Sequence, residues 1–88
     1  MIKEPKLPLF MDVHENLPGA TAADVAAAHE RDLEVQGQYG VTYERYWVDE
    51  ANGKVFCLVE APNAEAAAAV HREAHGLVAD HLHEVVEG

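Results

Sequence analysis

The first patterned stretch of the chain alternates with a period of two. In Leu9–His14, Leu9, Met11 and Val13 share one side, and Phe10, Asp12 and His14 share the other. This predicts a strand with one wholly apolar side and a second side that starts aromatic and ends in a carboxylate and an imidazole. Pro5 and Pro8 oppose a ladder upstream, so residues 1–7 read as a flexible N-terminal extension and 8–88 as the folded domain. The period then changes. Thr21 with Asp24 three residues on forms a capping-box signature, and the helix it opens is expected to run to about Gln38 and stop at Gly40. At about 100° per residue, Val25, His29, Asp32 and Gln36 fall at the centre of its inward stripe. Val35, Ala28 and Tyr39 flank them on one side, Leu33 and Ala26 on the other. Glu30, Arg31, Glu34 and Gln38 take the outer face. Three polar groups therefore occupy a stripe that folding alone would fill with apolar ones.

VTYERYWVD is rich in β-branched and aromatic residues and predicts a second strand. Asn52-Gly53 is a hairpin signal, and it leads into VFCLV around Cys57. That unbroken apolar run suits a strand covered on both faces, and for the same reason does not say which face Cys57 takes. Asn63 can cap a second helix through EAAAAV, which Gly76 can close. HLHEVVE then alternates Leu82, Glu84 and Val86 against His81, His83 and Val85. The order strand–helix–strand, strand–helix–strand, with right-handed crossovers, predicts an α+β fold. It is a ferredoxin-like sandwich, a four-stranded antiparallel sheet with two helices on one face. Phe10, Tyr43 or Tyr46, Trp47 and Phe56 then offer more apolar surface than one helix layer hides, which predicts a homodimer formed through the sheet.

Composition narrows the functional classes. Eighty-eight residues suit one domain. A net charge of −10 argues against nucleic acid as a partner. No apolar run approaches the roughly 20 residues of a membrane span, and MIKEPKLPLF lacks the apolar centre of a secretory leader. One cysteine excludes an internal disulfide and fits a reducing compartment, so a cytoplasmic location is expected.

The chemistry lies in six histidines, one thiol and an inward carboxylate. His71 and His75 stand at i, i+4 on the second helix, a spacing from which two imidazoles reach one ion. The topology is expected to gather His14, His75, His81 and His83 at one end, while His29 and Asp32 point from the first helix toward the strand of Cys57. Asp12 is a candidate to orient His14. Nitrogen, sulfur and oxygen donors together suit a borderline divalent transition metal. No CxxC pair is present, and in His71-Arg-Glu-Ala-His75 the glutamate points about 160° from His71, so zinc-finger and zinc-peptidase geometries are both missing. Cys57, His29 and Asp32 also compose a thiol, base and acid, but the chain offers no oxyanion loop to accompany them.

The strings AAHERDLEVQGQYGV, YWVDEANGKVFCLVEAP and VHREAHG resemble the small actinobacterial-type nickel-binding domain family, over roughly Leu9 to Val86. The resemblance implies the ferredoxin-like fold, a cytoplasmic homodimer and Ni2+ binding, with other divalent transition metals possible and no enzymatic activity. It matches His29, Asp32, Cys57, His71 and His75, with His14 closing the first strand; these six are the expected metal residues. Gly37 departs from the charged residue usual there and loosens the end of the first helix. The expected function is metal storage, buffering or sensing, with His71 and His75 chelating from one helix edge and His14 approaching from the strand. His29 and Asp32 would form a second site or support, with Cys57 nearby. Two other readings remain open. One is a dimeric α/β-barrel enzyme acting on a small hydrophobic molecule with His29 and Asp32 as acid and base. The other is an interaction module whose dimer face is its function.

Overall fold

The computed structural model describes residues 7–88. The expected N-terminal extension lies outside them, apart from the exposed Leu7. The elements are β1 (Leu9–His14), α1 (Ala22–Val35), β2 (Thr42–Asp49), β3 (Lys54–Glu60), α2 (Ala64–Ala74) and β4 (His81–Val85), with a 3-10 turn at Gln36–Tyr39 after α1. The strands form one sheet in the order β2-β3-β1-β4, and every pair is antiparallel. This is the ferredoxin-like arrangement the sequence predicts, with β1 and β3 in the middle.

Both helices begin as their caps require. Thr21 accepts from the Asp24 amide, and the Asp24 carboxylate accepts from the Thr21 amide, each at 3.1 Å. Asn63 Oδ1 accepts from the Ala66 amide at 2.8 Å. The α-helical part of α1 ends at Val35, short of Gln38; the remainder tightens into the 3-10 turn and closes at Gly40 with φ 66°. α2 ends at Ala74, where His75 leaves helical geometry at φ −151°. Gly76 takes φ 80°, and its amide donates to the His71 carbonyl at 2.8 Å, closing the helix as a left-handed glycine does.

Alternation decides which face the helices cover. Phe10, Asp12 and His14 of β1 are buried, as are Val55, Cys57 and Val59 of β3. Cys57 thus lies on the helix-covered face, opposite Asp12 in the β1–β3 register. A bulge between Tyr43 and Arg45 lets Tyr43 and Tyr46, three residues apart, share that face; both pack into the core region, where the sequence left them as alternatives. The other face carries Leu9, Met11, Val13, Phe56 and Leu58, all half-buried, and Trp47, which is 48% exposed. Of the large aromatics, Phe10 and Tyr43 therefore go under the helices, and Trp47 and Phe56 remain outside.

One inward assignment fails. Leu33, expected to flank the inner stripe of α1, is 46% exposed. His81 and His83 alternate onto the uncovered face, opposite Val13 and Met11, and do not join His14.

Candidate metal centre

Four elements bring the polar groups together. β1 contributes Asp12 and His14, which face the helices because their side of the strand is the covered one. β3 contributes Cys57 directly across the ladder. α2 contributes His71, whose side chain is 2% exposed, and α1 contributes Asp32, at 4%. His75 belongs here too: its non-helical backbone turns the ring inward, and the side chain is only 6% exposed.

His71 is the hub. Its Nδ1 lies 2.8 Å from Asp32 Oδ1, and its Nε2 lies 2.8 Å from Asp12 Oδ2. The Tyr43 ring stacks on it at 4.5 Å, with His14 and His75 at 5.1 and 4.8 Å. Tyr43 fixes Asp12 from the far side: its hydroxyl is 3.0 Å from Asp12 Oδ2 and 3.1 Å from the Ala67 carbonyl. His14 Nε2 stands 3.4 Å from Asp12 Oδ1. On the other flank, His75 Nε2 is 3.1 Å from Asp32 Oδ1, and its Nδ1 accepts from the Leu77 amide at 3.1 Å.

Two atoms are left over. Asp12 Oδ1 and His71 Nε2 are buried without a hydrogen bond of adequate geometry among the described residues. The short His71–Asp12 contact is close enough for charge attraction but points away from the direction a ring N–H needs. Buried polar atoms without partners cost stability and call for an explanation. Both belong to residues that gather with His14 and Cys57, and the four residues offer one ligand atom each within 4.8 Å of one another. A second set, Asp32, His71 and His75, meets the same distance but uses His71 again. Oxygen, two imidazoles and sulfur are a donor set for a borderline divalent ion.

The charges agree with a cationic occupant. Burial alone would raise the pKa of Asp12, but its contacts with His14 and His71 and their positive charge outweigh this and hold it well below the usual carboxylate range. Asp32 is lowered in the same way by His71 and His75 against the effect of burial. Burial would depress His71; the two carboxylates instead push it up to about 9. Burial, then the charge of Asp12, pushes the Cys57 thiol far up. The thiol is therefore protonated and unreactive unless a metal or base takes its proton.

A cavity of about 40 Å³ opens onto the cluster, walled by Val25, Ala28 and Leu77 and reaching His14, Cys57 and His71. That exceeds the roughly 10–15 Å³ needed for one water, so there is room for a small occupant beside His14, Cys57 and His71. His29 lines the cavity but makes no bond to Asp32; its ring lies against Tyr46 at 4.7 Å. The acid–base pair of the enzyme reading is therefore not assembled: Asp32 is engaged by two other histidines. His81 and His83 stack on each other at 5.8 Å on the far face, with His81 Nε2 3.3 Å from Glu15. Asp12 is the central group that sequence reasoning undervalued, as a partner of His14 only, and Tyr43 entered it only as apolar surface.

Comparison with known proteins agrees with this picture. A family model described as nickel responsive protein SCO4226-like matches residues 10–85. The crystal structure of SCO4226 from Streptomyces coelicolor A3(2) is 42% identical, covering 91% of this chain and 98% of that one, with a TM-score of 0.85. No curated protein matches the chain.

Proposed function

The chain belongs to the SCO4226-like family of nickel-responsive proteins, and from that premise we propose that it binds Ni2+, or a related divalent ion, for storage, buffering or sensing. Asp12, His14, Cys57 and His71 would hold the ion. One observation carries this choice: the two buried atoms without partners among the described residues, Asp12 Oδ1 and His71 Nε2, both sit on residues of that set. The ion would supply a positive charge where the fold has buried carboxylate oxygen, and would draw the proton from Cys57. The rest falls to the protein. Tyr43 holds Asp12 in place, and the cavity walls keep bulk water away from the donors. Of the six residues expected from the sequence, His14, Cys57 and His71 are retained as ligands, while Asp32 and His75 are neighbours of His71 and His29 lines the approach.

The open sheet face supports a homodimer. Leu9, Met11, Val13, Phe56, Leu58 and Trp47 form an apolar surface that no helix covers among the described residues, and a second copy would bury it. A cytoplasmic location fits the buried free thiol of Cys57. Among the described residues no helix is long and apolar enough to cross a membrane.

Calorimetric titration of untagged apo-protein with nickel, in two buffers of different ionisation enthalpy, tests the reading. Binding is expected with a buffer-dependent heat, because the ligands release protons as the ion enters. Heat no greater than that from an acidic protein lacking histidine would overturn it.

A further inference from the structure

Asp32 and His75 satisfy the distances of a metal site, yet their hydrogen bonds assign them different work. The chain of contacts runs in one direction. The Leu77 amide can only donate, so His75 Nδ1 accepts from it at 3.1 Å. The ring proton of His75 then sits on Nε2, the atom 3.1 Å from Asp32 Oδ1. That same oxygen takes His71 Nδ1 at 2.8 Å. With Nδ1 tied to a carboxylate, His71 is left to present Nε2 toward Asp12, His14 and Cys57, and Nε2 is the atom without a partner. An ion between Asp32, His71 and His75 would instead have to displace a proton held by a carboxylate at both rings.

We propose that Asp32 is a positioning residue, clamping the Nδ1–H of His71 so that its Nε2 faces the donors of the sheet, with His75 and the Leu77 amide fixing the clamp from the loop after α2. This rests on the nickel reading for its consequence, though not for its geometry. A carboxylate behind a ligating histidine sets the tautomer and the ring angle of that ligand. The loop Gly76–Asp80 is tied into the same chain at its start by the Leu77 amide and at its end by Asp80, whose amide donates to the Val13 carbonyl at 2.9 Å and whose carboxylate accepts from the Glu15 amide at 2.7 Å. The loop is therefore anchored at both ends, beside β1 and behind His71.

Nitrogen-15 NMR of the imidazoles in metal-free protein, joined to nickel titrations of Asp32→Asn, tests the assignment. The parent is expected to show a slowly exchanging, downfield N–H on His71 Nδ1, and a His75 ring protonated on Nε2 with Nδ1 bare. Asp32→Asn is expected to lose the His71 signal and to bind nickel about 10–100-fold more weakly. His75→Gln is expected to shift the His71 signal and weaken binding less. A parent with no proton on His71 Nδ1, or with a proton on His75 Nδ1, overturns the clamp, as does folded Asp32→Asn that binds nickel like the parent. Should the parent bind no nickel at all, the functional reading fails, while the metal-free ring signals still decide for or against the clamp. Those signals come from the unmutated protein, so a variant that does not fold leaves the proposal open to refutation.

Discussion

The two faces of the sheet differ in where their polar groups lie, because the covered face mixes an apolar core of Phe10, Tyr43, Val55 and Val59 with buried ionisable groups. The helix-covered face holds Asp12, His14 and Cys57 at its centre, under His71 and Asp32. The uncovered face holds Leu9, Met11, Val13, Phe56 and Leu58 in the same strands. A one-residue slip in register would exchange the two sets, and the buried charges cost several kcal/mol each before pairing. A sequence free to optimise stability would have placed leucines inward. On the proposed reading, the difference teaches that each face answers to something outside the lone chain: the inner face to a cation, and the outer one to a second copy.

The comparison can be broken first at Asp12. Asp12→Ala strips one carboxylate from His71 and leaves Tyr43 with only the Ala67 carbonyl, so a loss of about 3–5 kcal/mol is expected in chemical denaturation, together with nickel binding. The same charges can be removed by pH alone. The pKa values of Asp12 and Asp32 are lowered by folding, so their contribution is present above the unfolded value and lost as pH falls below it. The pKa of His71 is raised to about 9, so its contribution is complete below the unfolded value of 6.5 and lost as pH climbs to about 9. Metal-free protein is expected to be most stable between these limits, near pH 4 to 6.5, when melting temperature is followed across pH.

Cys57→Ala sharpens the distinction between a ligand and a packing group. About 1 kcal/mol of stability is expected to go, while the thiolate-to-metal absorption of the nickel form disappears entirely. Charging the other face gives the smallest change in the single chain. Met11→Lys or Leu58→Glu is expected to alter the stability of the monomer by no more than about 1 kcal/mol, yet to abolish the dimer in sedimentation. A variant that still sediments as a dimer would remove the outer face from the account.

Much of this was legible in the chain. The βαββαβ order, both caps, the glycine stops at Gly40 and Gly76 and the polar stripe of α1 follow from local rules, and local rules survive tertiary packing. The site was legible in its histidines and in Asp32, whose spacings are helical. Asp12 was harder, because its importance comes from standing across a ladder from Cys57, and register between distant strands is not written in either strand. The alternation Phe10-Asp12-His14 was the available signal. It competes with the wholly apolar Leu9-Met11-Val13 side, which makes the more obvious inner face. The inward turn of His75 is hidden for a different reason: the i, i+4 spacing assumes helical dihedrals, and its backbone has already left them. The bulge after Tyr43 likewise shifts a face without leaving a glycine or proline to mark it.

Diffraction from nickel-soaked crystals, recorded on both sides of the nickel absorption edge, tests the central claim most directly. The account predicts an anomalous peak between β1, β3 and α2, within bonding distance of Asp12, His14, Cys57 and His71. A peak confined to exposed groups such as His81 and His83, with the interior dry and its histidines paired as before, would contradict it.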